Sequence, residues 1–172
     1  IGDEGTKLNL HGVELELVMA PGETPDHMVV WCPEKKVLIC GDNFYRSFPN
    51  LYPPRGTAYR DFDTWADTMD LLMSFGPVVL GPGHTKAVFG AEKIQSDLTD
   101  YRDAIRHIVD ETRNGMDAGL TIDELAHKVR VPLGIGQLTR VEISEGADDV
   151  SFQFGGIGGV GTEKGGRAVV GC

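Results

Sequence analysis

Three side chains able to bind a divalent cation stand just past apolar, strand-like runs: Glu23 in APGETPDH, Asp42 in VLICGDNF and His84 in VVLGPGHT. Two carboxylates and an imidazole delivered by strand-end loops make a mixed oxygen and nitrogen donor set. Zinc is the usual occupant of such a set. A cation held there could make water a competent nucleophile near neutral pH. Each residue also has a plainer reading. Glu23, flanked by Pro21-Gly22 and Thr24-Pro25, could be a solvated turn acid. Asp42 could serve in a cap or Asx turn, although a carboxylate leaving a buried strand is costly unless paired. His84 could be a polar loop residue, although Gly81-Pro82-Gly83 places it on a rigid turn.

The surrounding pattern predicts the elements that present these groups. Residues 7–19 (KLNLHGVELELVM) alternate apolar and polar about Gly12, which predicts a hairpin with one buried face. Residues 28–32 (MVVWC) and 37–40 (VLIC) are continuous apolar runs, predicting strands buried on both faces or nearly so, with a tight turn at Pro33-Glu34-Lys35. Cys32 and Cys40 lie inside these runs and read as buried structural thiols. Residues 44–61 mix prolines, aromatics and arginines without a period, as an ordered functional loop would. A helix is expected over 64–75, capped by Asp63, with Trp65, Met69, Leu72 and Met73 on one face. Residues 78–80 predict a short strand. A long helix follows over 91–114 with Ile94, Leu98, Tyr101, Ile105, Ile108 and Val109 as its stripe and Gly115 as its stop. Thr121 and Glu124 have capping-box spacing for a third helix ended by Pro132. His107 and His127 read as surface or interface residues rather than ligands.

Composition narrows the function classes. The 172 residues suffice for a domain with a real core, and the net charge of −10 argues against a nucleic-acid partner. No apolar run approaches the roughly 18 residues that a membrane span needs. Three cysteines without a C-x-x-C pair indicate neither a disulfide framework nor a zinc ribbon.

The segments PGETPDH, ICGDNFYRSFPNLYPPRGTAYRD and LGPGHT resemble the metallo-β-lactamase superfamily, and most of all its alkyl sulfatase branch, over roughly residues 8–132. The resemblance implies an α/β fold, part of an αββα sandwich over residues 1–100. The start of a helical dimerisation domain would follow over 101–132, then a Gly-rich divergent tail over 133–172. It implies that Glu23, Asp42 and His84 are metal ligands, with two zinc ions in a complete site. Asn50 and Arg55 match the family's sulfate-binding pair. Arg55 offers a planar fork of donors to a tetrahedral oxyanion and Asn50 an amide donor. Asp26 and His27 are candidates to support the ligands, and Arg60 and Lys86 are candidate further anion contacts.

Two features depart from the family pattern. Its HxHxDH motif, which supplies four ligands, is not found; the five histidines include no HxH. The tail does not continue the dimerisation domain and reads as unrelated sequence, from a shifted frame or a mistaken gene boundary. The expectation is therefore a fragment of a zinc-dependent hydrolase that cleaves an anionic sulfate ester by metal-activated water, inactive by itself, from a homodimeric parent. Competing readings are an inactive product or scaffold with the same fold, and a hydrolase of another ester or a β-lactam.

Overall fold

A computed structural model describes residues 5–49, 51 and 60–130. Asn50, Arg55 and the 133–172 tail lie outside the described residues. The strands are β1 (Thr6–Leu10), β2 (Val13–Met19), β3 (Met28–Cys32), β4 (Val37–Gly41), β5 (Val79–Pro82) and β6 (Val88–Phe89). The helices are α1 (Phe62–Ser74), α2 (Ala91–Asp117) and α3 (Ile122–Lys128). The six strands form one sheet in the order β1-β2-β3-β4-β5-β6. Only β4 and β5 run parallel, joined by the crossover that contains α1. The other neighbours are antiparallel.

The local causes are legible. His11 and Gly12 both have positive φ (53° and 89°), as a two-residue turn matched to strand twist requires. Asp61, not Asp63, caps α1 by accepting from the Thr64 N–H at 3.2 Å. The helix starts at Phe62, two residues before the expected start, so Asp63 falls in the first turn, where it meets Arg113. α2 runs through Gly115 instead of stopping there. Gly119 ends it, with φ 77° and the Leu120 N–H bonded to the Gly115 carbonyl at 3.0 Å. The Gly119 N–H bonds to the Met116 carbonyl at 2.9 Å, completing a Schellman cap. Gly115 is there for packing: a Cβ would collide with the Leu125 side chain of α3. The Thr121–Glu124 capping box forms as expected. The two-residue β6 was too short to show a period.

The register divides the sheet into two faces. Val29, Trp31, Leu38, Cys40, Leu80 and Val88 share the face packed under the helices and are buried with Trp65, Met69, Leu72, Ile94, Leu98 and Tyr101. On the other face, Leu8, Leu10, Val13, Met28, Ile39 and Phe89 are exposed large apolar side chains. This corrects the expectation of strands buried on both faces and of a hairpin with one buried face: among the described residues both helices of the main layer lie on one side. Arg102 and Arg106 of α2 clamp α1 through Asp70 and Asp67 at 2.6 to 3.0 Å. Among the described residues no helix is long and apolar enough to cross a membrane.

Candidate metal centre

The parallel strands β4 and β5 end side by side, tied by a 2.8 Å bond from the Gly83 N–H to the Gly41 carbonyl. Gly41 leaves β4 with φ 54°, a turn that favours glycine, and delivers Asp42. The Gly83 turn delivers His84 from β5. His84 Nδ1 lies 2.6 Å from Asp42 Oδ1. Gly83 permits this approach, because a Cβ there would overlap Asp42 Oδ1. An ionised carboxylate only accepts, so Nδ1 is the donor in this pair, and a neutral imidazole in that tautomer has its lone pair on Nε2. That is the arrangement in which an imidazole ligand is oriented by a carboxylate. The His84 side chain is 75% exposed and Asp42 30%, so the pair is open to a solute.

Glu23 sits in the β2–β3 loop. Its N–H bonds to Asn43 Oδ1 at 3.0 Å, which ties this loop to the residue after Asp42. Its carboxylate Oε1 is 2.8 Å from Arg60, whose guanidinium lies 5.6 Å from the Trp65 ring centroid. Arg60, a candidate anion contact in the sequence, thus meets a carboxylate of the chain itself. The structure brings Asp42 and His84 into contact and leaves Glu23 ion-paired; among the described residues no group of three or more His, Cys, Asp or Glu side chains is placed to hold a metal ion. Carboxylate and imidazole donors suit a divalent cation as part of a larger ligand set. His27 Nε2 meets the Cys40 carbonyl at 2.9 Å, bracing the strand that leads to Asp42. Asp26 and Lys86 are exposed. His107 and His127 bond backbone carbonyls of Arg130 and Asp123.

Cys40 is buried one residue before the Gly41 turn, and burial pushes its thiol up to about 12. It is a packing residue, as are the other members of the layer beneath the site. Phe44, Tyr45 and Trp65 gather around the fully buried Tyr101 ring at centroid distances of 5.2 to 6.2 Å. Burial pushes the Tyr101 hydroxyl well above the ordinary tyrosine range. The residue that sequence reasoning missed is Asn43. Its neighbour Asp42 drew the chemical argument, and its partners lie about 20 residues away in sequence.

Comparison with known proteins fits this geometry. The pattern of the metallo-beta-lactamase superfamily matches residues 3–84. A linear primary-alkylsulfatase from Pseudomonas sp. (strain ATCC 19151) is 38% identical over 122 residues, covering 70% of this chain and 23% of that protein. An (R)-specific secondary-alkylsulfatase from Pseudomonas sp. is 37% identical over 122 residues, covering 69% of this chain and 18% of that protein. The solved structure of the stereoselective inverting sec-alkylsulfatase Pisa1 from Pseudomonas sp. superposes with a TM-score of 0.73 at 33% identity, over 80% of this chain and 22% of that one. The chain therefore spans less than a quarter of the alkylsulfatases it matches. A metallo-beta-lactamase family protein from Thermus thermophilus shares the fold at 20% identity and a TM-score of 0.53, over 83% of this chain and 48% of that one. On these matches the chain belongs to the metallo-β-lactamase superfamily, in its alkylsulfatase branch.

Proposed function

We propose that this chain is part of a zinc-dependent hydrolase of sulfate esters. The observation that carries the reading is the Asp42–His84 contact at the adjoining ends of β4 and β5, in a chain most like alkylsulfatases. Asp42, His84 and Glu23 would hold metal together with donors beyond the described residues. A divalent cation bound there supplies Lewis acidity. The chain's own residues do the rest. Arg60 orients the Glu23 carboxylate and offsets its charge. Arg55 and Asn50 bind the sulfate group of the ester, the guanidinium supplying a charge-assisted pair of hydrogen bonds. The parent protein acts as a homodimer, with α2 and α3 opening the helical region that pairs.

With only Asp42 and His84 in contact, the 172-residue chain by itself is expected to hold zinc weakly and to show no turnover. The test of the ester class is sulfate release from an alkyl sulfate by the full-length gene product and its Arg55→Ala variant. Loss of charged hydrogen bonds to a bound anion should raise KM roughly 10- to 100-fold. An Arg55→Ala enzyme with an unchanged KM and kcat would exclude the proposed sulfate site.

A further inference from the structure

Asn43 has no room for a casual role. It is fully buried, and it directly follows Asp42. Its Oδ1 accepts the Glu23 N–H at 3.0 Å and its Nδ2 donates to the Ala20 carbonyl at 2.6 Å. Its own carbonyl accepts the Trp65 indole N–H at 2.9 Å, and its N–H closes a turn onto the Cys40 carbonyl at 3.2 Å. The carboxamide thus stands in for a peptide unit. It pairs one donor and one acceptor of the 20–23 loop where no backbone of β4 reaches that loop.

The neighbours are shaped to this side chain. A Cβ on Gly22 would lie 2.5 Å from Asn43 Oδ1 and 2.7 Å from Trp65 Cδ1. Thr68 of α1 donates to the Pro21 carbonyl, holding the same loop from the helix side. No other side chain suits the place. Aspartate has no donor for the Ala20 carbonyl, alanine has neither group, and glutamine is longer by a methylene in a filled space. Leaving the part-buried Glu23 N–H and the buried Ala20 carbonyl without partners is the larger cost of losing it.

We propose that Asn43 is a positioning residue that fixes the backbone of Glu23 against the strand end carrying Asp42, and so sets the spacing of the two carboxylates. As a statement about metal ligands this rests on the function proposed above. As a statement about the loop it stands alone, and the test separates the two.

Hydrogen exchange of single amides is read on the 172-residue chain, with Co²⁺ binding read on the same samples by absorption. Asn43→Ala should speed exchange at the Glu23 amide by roughly 10-fold or more while leaving the amides of Val29 and Leu38 unchanged. Gly22→Ala, whose Cβ would press on Asn43 Oδ1 and wedge the loop off with residue 43 itself unchanged, should do the same. Asn43→Asp, which keeps an acceptor for the Glu23 N–H, should retain most of the protection. Both alanine variants should weaken Co²⁺ binding by a similar factor, as Glu23→Gln should. Unchanged Glu23 exchange in Asn43→Ala, or acceleration spread evenly through β3 and β4, overturns the proposal. Lost Glu23 protection with wild-type Co²⁺ affinity overturns the positioning role. A wild-type chain that takes up no Co²⁺ counts against the metal reading alone, and the exchange data then still decide the role of Asn43 in the loop.

Discussion

Asp42 and His84 meet because two glycines remove the obstacles: Gly41 supplies the left-handed turn and Gly83 the space. Both residues were legible in the sequence, since each is the first polar group with metal chemistry after an apolar run. The ion pair of Glu23 with Arg60 was not, because its partners are 37 residues apart and nothing local signals the contact. Asn43 was hidden for the same reason. Cys40 illustrates what burial does next to a candidate site. Its Sγ lies near the Gly81 carbonyl at 3.6 Å, and a thiol pushed up to about 12 is almost wholly protonated at pH 8. The native chain should therefore leave Cys40 unmodified by iodoacetamide at that pH and expose it only on unfolding, as mass spectrometry of a denaturant series would show. Rapid labelling of the native chain would contradict this.

The elements were easier to read than their ends. The apolar stripe of α2 was correctly placed by its period, with Tyr101 at the centre of the core. Its stop was misread at Gly115, because a glycine serving a helix crossing and a glycine serving a cap look alike until the partner helix is known. Asp61 was missed as a cap because Asp63, two residues on, offers the same carboxylate and the expected start at Thr64 left Phe62 outside the helix. The cap of α3 depends on Thr121, which accepts from the Glu124 N–H at 3.4 Å and donates to its carboxylate at 2.8 Å. Thr121→Ala should cost about 1 kcal/mol, visible as faster amide exchange in α3. The α1–α2 clamp carries a pH dependence. Burial alone would raise the Asp70 carboxyl, but Arg102 and Arg106 outweigh it and hold it below the ordinary 3.8. A depressed carboxylate stabilises the fold above its unfolded value, and that contribution is lost as pH falls through the lower folded value. Chemical denaturation across pH 6 to 2 should show the loss beginning near pH 4, and Asp70→Asn should flatten it.

At the scale of the whole molecule, the sheet presents two apolar faces and the described helices cover one. The uncovered face, with Met28, Ile39 and Phe89, belongs to a chain that spans less than a quarter of the alkylsulfatases it matches. The sequence revealed the fold class through its strand-end motifs, yet periodicity alone could not reveal which strand face the helices cover. The candidate site inherits this arrangement: the loops carrying Glu23 and Asp42 are held to the α1–α2 layer through Trp65, Thr68 and Tyr101. The most direct test of the account is the metal content of the natively purified full-length gene product, measured by elemental mass spectrometry for wild type, Asp42→Asn and His84→Ala. The account predicts stoichiometric zinc in the wild type and, in each variant, a loss of metal with affinity weakened by more than about 10-fold. Undiminished zinc in both variants would contradict the assignment of Asp42 and His84 to a metal centre.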